Sequence, residues 1–278
     1  MSAVLNLPHG LHRGVPEPVY HERVFGLVSK SALDLVATPN TPAHLRAWWE
    51  GSSKPATPAM KMGTALHCAA LTPAIFSAEY TVQPDFGDCR YKAAKDAKAA
   101  WLAENGAKLS LDADDARDIA GMVAALRAHP LIGHLLDEGD PELTLRWSDL
   151  ETGLECKGRV DLYVPRKRLA IDIKTAQSAS EEAFLRSVSG YRYDVQDAMY
   201  SGGLAACGAP IDHFLFGVVE KTAPYAVNVI DLESEWRADG ERKCARDLAR
   251  VKQCIDTGEW PAFAPTIKTL SQPAWNKS

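Results

Sequence analysis

The stretch GRVDLYVPRKRLAIDIKT, residues 158–175, constrains the fold more than any other part of the chain. Two runs of alternating apolar and polar residues flank a short loop, the signature of an antiparallel hairpin. On the first run Val160, Leu162 and Val164 share one face, while Arg159, Asp161 and Tyr163 share the other. On the second, Leu169, Ile171 and Ile173 share one face, while Asp172 and Lys174 share the other. A loop over 165–168 pairs Val164 with Leu169, Leu162 with Ile171 and Val160 with Ile173. Every apolar side chain then lands on one side, so pattern and register agree.

The same register sets Asp161 opposite Asp172, with Cβ atoms about 4.5–5.5 Å apart. Lys174 stands one pleat along, about 6–7 Å from Asp172, and Arg159 falls opposite Lys174. Facing carboxylates repel unless something offsets them, and a divalent cation does so. Oxygen-rich sites of this kind suit Mg²⁺ or Mn²⁺. A lysine beside such an ion can orient a water and stabilise developing charge. A short D-x-K string is weakly specific, and a solvated strand face with scattered charge is the alternative for the hairpin taken alone.

Around this hairpin the order is helices, a three-strand meander, a helix, two strands and a helix. Residues 1–28 are punctuated by Pro and Gly and are expected to be loose or draped over the surface. Ser29 caps a short helix over 30–37, and a second carries Trp48 and Trp49. Further helices are predicted over 60–71, 73–80 and 91–105, and a long one over 111–129 capped by Ser110. Strands are predicted around Leu143, Leu145 and Trp147, then over 154–164, 168–175, 213–220 and 226–231, with helices over 194–206 and 232–256. Residues 258–275 read as an extended arm. This is one α/β domain, 29–278, with a helical N-terminal region.

Lys and Arg total 31 against 36 Asp and Glu, a net charge of −5. That argues against an all-over basic nucleic-acid binder but allows a basic cleft. The six cysteines lie far apart with no C-x-x-C, so reduced thiols are expected. No apolar run is long enough to span a membrane. Residues 1–20 lack the apolar stretch of a signal peptide, and a cytoplasmic location is expected.

The hairpin resembles the PD-(D/E)xK nuclease core. Its RecB-like branch places G-x-x-x-H on an upstream helix, here Gly63 to His67, and Q-x-x-x-Y on the helix after the lysine, here Gln196 to Tyr200. Each pair sits one turn apart on a helix, and the glycine leaves room for close approach beside the imidazole. Tyr193 is a further turn-mate. The runs LVSKSALDLVATPNTPAHLRAWWEG, PAMKMGTALHCAALTPAIFSAEY and GEWPAFAPTIKTLSQPAWNK resemble the RecE (exonuclease VIII) type of phage and prophage exodeoxyribonuclease.

The resemblance implies a restriction-endonuclease-like core with a central mixed sheet flanked by helices. It implies Mg²⁺-dependent degradation of linear double-stranded DNA from 5′ ends, leaving 3′ single strands for an annealing partner, in a bacterial host. His67, Asp161, Asp172 and the Ile173 carbonyl would hold the metal, with Glu142 a further candidate whose alternative is an exposed strand-start acid. Lys174 would position the attacking water and stabilise the pentavalent phosphate, and Gln196 and Tyr200 would shape the site and contact the DNA strand. Arg159, Arg166, Lys167, Arg168 and Tyr193 are candidate DNA contacts, as are Arg90, Lys92, Lys95 and Lys98; solvation of turns and faces is the bland reading of these charges. A ring-shaped homo-oligomer follows from ring-forming relatives. Alternatives are an endonuclease, a Cas4-like single-strand nuclease (disfavoured by the missing cysteine cluster), a non-catalytic DNA-end-binding protein, and an enzyme of small phosphate esters (disfavoured by the lack of a Gly-rich loop).

Overall fold

Runs that alternate apolar and polar side chains become strands, and those with helical spacing become helices. In the computed structural model, which describes residues 2–52 and 55–272, the strands are β1 (Gly10–His12), β2 (Tyr80–Val82), β3 (Leu109–Leu111), β4 (Asp140–Ser148), β5 (Glu155–Val164), β6 (Leu169–Ala176), β7 (His213–Glu220) and β8 (Val227–Asp231). Before the meander come helices α1 (Glu17–Tyr20), α2 (Lys30–Val36), α3 (Pro42–Trp49), α4 (Pro58–Leu71), α5 (Pro73–Glu79), α6 (Lys92–Asn105), α7 (Ala113–Ala128) and α8 (Leu135–Glu138). After it come α9 (Glu181–Tyr191), α10 (Tyr193–Ala206) and α11 (Ser234–Thr257).

One six-stranded sheet runs β1-β4-β5-β6-β7-β8, and β2 and β3 form a separate parallel pair. Within the large sheet β6 and β7 are parallel and the other neighbours antiparallel, so the sheet is mixed. The α9–α10 segment makes the crossover that a parallel pair requires. Against one face pack α2, α10 and α11, around Leu33, Val195, Leu204 and Phe214. Against the other pack α4 and α7, where Leu66, Met122 and Leu126 meet Leu162, Ile171 and Ile173. Burying each such side chain contributes about 1.5–3 kcal/mol.

Several expectations need correction. The N-terminal segment is not loose: β1 lies on β4, and Val28 N–H donates to Glu155 O at 2.8 Å while Lys157 N–H donates to Val28 O at 2.8 Å. The long helix starts at Ala113, capped by Asp112, whose carboxylate accepts from Asp115 N–H at 2.7 Å; Ser110 belongs to β3. Helix α9 was not foreseen, although Ser180 caps it and Glu181 and Glu182 occupy its first turn. The C-terminal arm carries no helix or strand over 258–272, and Trp260 packs edge-on against Phe25 and Trp49; its Trp275 end lies outside the described residues. Among the described residues no helix is long and apolar enough to cross a membrane.

The hairpin closes as the register requires, pairing Leu162 with Ile171 and Val164 with Leu169 around a 3₁₀ turn, Pro165–Lys167, with Arg168 left-handed at φ 50°. The ladder, however, stops at the Leu162–Ile171 rung. The two strands part before Val160 and Ile173, or Asp161 and Asp172, can pair.

Candidate active site

The parting of β5 from β6 leaves polar backbone to be satisfied, and side chains do it. Asp161 Oδ2 accepts from Ile173 N–H at 2.7 Å, and His67 Nε2 lies 2.7 Å from Ile173 O. His67 comes from α4 on one face of the sheet, while Gln196 and Tyr200 come from α10 on the other. The site therefore draws on both layers at the one place where the sheet opens.

Asp161 does face a carboxylate across a strand pair, but it is that of Glu142 rather than Asp172. The rungs Pro141–Leu162 and Leu143–Val160 bracket the position where Glu142 stands opposite Asp161. Glu142 adopts φ 50°, an unusual conformation for a residue with a side chain, and the ladder is interrupted there. Ligand atoms of His67, Glu142 and Asp161 all lie within 4.8 Å of one another. His67 Nδ1 is 3.5 Å from Asp161 Oδ2.

Asp172 stands outside this trio, on the lysine side of the cleft. Its Oδ1 accepts from Gln196 Nε2, and its Oδ2 is 2.5 Å from Lys174 Nζ. Lys174 Nζ also donates to Gln196 Oε1 at 3.1 Å and sits 4.6 Å over the ring of Tyr193. The Gln196 amide thus bridges the acid and the lysine, using its donor for one and its acceptor for the other.

Burial, reinforced by Asp172 and Glu142, pushes the Asp161 carboxyl up to about 7 despite the opposing pull of His67 and Lys174. Burial likewise raises Glu142. Burial works against charging His67, but the Asp161, Asp172 and Glu142 carboxylates outweigh it and hold the imidazole above its ordinary value. Burial likewise opposes the charge on Lys174, but Asp172, Tyr193 and Asp161 together outweigh it and leave the ammonium raised. A cluster of acids this reluctant to ionise is one that a cation would stabilise.

The donors fit such an ion. Neighbouring ligands of an octahedral cation with bonds of about 2.1 Å stand about 3 Å apart, close to the 2.7 Å between His67 Nε2 and Ile173 O. Two carboxylates, a carbonyl and one imidazole suit Mg²⁺ or Mn²⁺.

The site lines a cleft of about 830 Å³ that also holds Asp172, Lys174, Gln196 and Tyr200. Tyr200 packs where β5 carries Gly158; a Cβ there would meet its ring at 3.2 Å. Gly63 has nothing within 4 Å of such a Cβ, so the close approach expected beside the imidazole is absent. Tyr193 is stacked on Phe184, Tyr191 and Phe216 behind Lys174 and does not line the cleft. Nor do Arg166, Lys167 and Arg168, the last paired with Asp212 through two contacts of 2.9 Å. Arg90, Lys92, Lys95 and Lys98 are also absent from its lining. Arg159 does line the cleft, but β5 has parted from β6 before it could pair with Lys174, and it donates to Thr144 Oγ1 of β4 at 3.0 Å and to Val15 O at 2.7 Å.

The cleft residues that sequence reasoning missed belong to the N-terminal segment, among them Val15, Glu17 and Tyr20. The strand alternation that puts Lys157 and Arg159 on the face of Asp161 was the available signal that something must cover these cations.

The profile described as "PDDEXK-like domain of unknown function (DUF3799)" matches residues 29–273. Among solved structures, a Eubacterium rectale protein named as a candidate exonuclease shares 13% identity at a TM-score of 0.61, covering 94% of this chain and 96% of that one. A phage-related exonuclease from Haemophilus somnus 129PT shares 14% identity at a TM-score of 0.36, covering 87% of this chain and 99% of that one. A search of curated proteins finds no significant match. The Eubacterium rectale likeness, at its low identity, speaks to fold alone. The profile match spans most of the chain, with His67, Glu142, Asp161, Asp172, Lys174 and Gln196 inside it, and the chain belongs to the DUF3799 family of PDDEXK-like domains.

Proposed function

We propose that the protein is a Mg²⁺-dependent exodeoxyribonuclease that degrades linear double-stranded DNA from 5′ ends, leaving 3′ single strands for recombination by strand annealing. The observation that carries the nuclease reading is the meeting, in one cleft, of the His67–Glu142–Asp161 trio with a lysine fixed by Asp172 and Gln196. His67, Glu142, Asp161 and the Ile173 carbonyl would hold the ion, with Asp172 at the boundary between ion and lysine. Bound there, a divalent cation supplies Lewis-acid stabilisation of the phosphate and acidifies a water.

The chain's own groups do the rest. Asp172 keeps Lys174 Nζ protonated, so the lysine acts as a donor to the attacking water or a phosphate oxygen rather than as a base. Gln196 fixes the rotamers of both partners, and Tyr193 backs the ammonium with its ring. Tyr200 fills the floor of the cleft.

The 5′ polarity, the annealing partner and a ring-shaped assembly rest on the resemblance of the chain's long runs to RecE-type exonucleases. The name of the Eubacterium rectale relative supports exonuclease activity and says nothing of polarity, partner or assembly. The reading is tested by digesting linear duplex labelled at either end, with Mg²⁺ and with a covalently closed circle as control. Early release of 5′ label, an intact circle and an inactive Asp172→Ala protein are expected. Early release of 3′ label would refute the polarity, and cutting of the circle would make the protein an endonuclease.

A further inference from the structure

Residues 1–28 precede the region matched by the family profile, yet they build one wall of the cleft. Lys157, Arg159 and Asp161 alternate on one face of β5, about 6.6 Å apart. Their row leads straight away from the proposed metal site, and two cations beside a metal-holding acid are a natural track for phosphates. The N-terminal segment occupies that track. Lys157 Nζ donates to Tyr20 O and, at 2.7 Å, to Glu22 O. Arg159 Nη2 donates to Val15 O at 2.7 Å, and the Tyr20 ring lies 4.3 Å from its Cζ. Lys157 retains only 4% exposure.

The covering is anchored along its length. Arg13 clasps Asp140 through two contacts of 2.6 Å at the rim, and β1 binds β4 just before it. The Tyr20 hydroxyl shares a hydrogen bond with Tyr200 at the floor. Glu17 presents an exposed carboxylate to the cleft, close enough to Glu142 for the two to repel. Arg13 and His21 also line this wall, but Arg13 is paired with Asp140 and His21 Nε2 lies 3.7 Å from Glu17 Oε1, so carbonyls and carboxylates dominate what it offers a phosphate.

We propose that residues 13–22 are an end stop. They close the cleft along β5 beyond Asp161, so that only a strand terminating inside the cleft brings a phosphate to the metal and Lys174. The segment outside the family region thereby selects free ends over internal phosphodiesters. This rests on the nuclease reading above and adds the element that makes it exonucleolytic.

The test uses full-length protein in which residues 13–21 are replaced by a Gly-Ser run of equal length, keeping β1 and Val28. Cleavage of closed circular DNA, single-stranded and duplex, is compared with cleavage of linear DNA in Mg²⁺. The intact protein should spare circles. The replaced protein should cut them about tenfold faster or more, with loss of that cutting on adding Asp161→Ala. Unchanged sparing of circles by a replaced protein that still digests linear DNA would overturn the end stop, as would ready cutting of circles by the intact protein. A second measurement needs no variant: linear oligonucleotides with one cleavable phosphate among phosphorothioates. Cleavage should be confined to a cleavable phosphate near an end, and equal cleavage at the centre would overturn the proposal. Absence of cleavage in every substrate despite Mg²⁺ binding would remove the nuclease reading itself, an outcome distinct from equal cutting of ends and circles.

Discussion

Glu142 meets two costs at one position. Its left-handed backbone, φ 50°, costs about 1 kcal/mol in a residue with a Cβ, and its half-buried carboxylate faces that of Asp161. Glu142→Gly should relieve both, raising the metal-free melting temperature by about 2–4 °C while weakening Mg²⁺ binding about tenfold or more; calorimetry reads the two separately. The acids also set a pH dependence. Asp161 rises from 3.8 to about 7 on folding, so the stability linked to it is present below pH 3.8 and lost as pH rises toward 7. The raised His67 acts in the same sense, losing its contribution as pH climbs past 6.5 and through its folded value. Metal-free protein should therefore melt lower at about pH 8 than at about pH 5, and Mg²⁺ should stabilise it more at the higher pH. Asp161→Asn should flatten both trends in melting curves. The hairpin acids, Lys174, His67 and Gln196 were legible in the sequence because alternation and i, i+4 spacing are local. The partnership of Glu142 with Asp161 was not, because it depends on a backbone twist and a strand pairing that no local pattern encodes.

Among the elements, α10 carries the most, since it holds Gln196 and Tyr200 and is itself clamped by α11. The clamp is tight at Gly240, where a Cβ would come within 2.2 Å of Asp194 O. Around it Arg192 pairs with Asp247, and Lys243 donates to Asp194 Oδ2 at 2.6 Å. Gly240→Ala gains helix propensity of up to about 1 kcal/mol, but a clash with backbone cannot be relieved by rotating a side chain. A net loss of about 1–3 kcal/mol is expected in urea unfolding, together with lower nuclease turnover as Gln196 shifts. The periodic helices and the long strands were readable at this scale. Strand β1 was not, because three residues on an edge show no alternation to detect, and neither was α9, whose Ser180 cap and two leading glutamates were passed over.

At the scale of the whole molecule, a net charge of −5 coexists with a proposed polyanionic substrate. The β5 cations of the cleft are engaged by the N-terminal segment, and we propose that Lys92, Lys95 and Lys98, on an α6 with no buried residue and outside the cleft lining, attract the DNA flanking the cleft. Replacing all three by Ala should leave the maximal cleavage rate unchanged, raise KM and flatten the salt dependence of DNA binding. The three-residue strand β1 has a consequence for colloidal behaviour. It pairs Gly10, Leu11 and His12 with Arg146, Leu145 and Thr144, and so seals one border of the large sheet. A fragment trimmed to begin at Ser29, where the family match starts, would bare the backbone donors and acceptors of β4 along a largely buried strand. Such borders template strand addition between molecules, so the trimmed fragment should clump through β4 at concentrations where the longer chain stays clear.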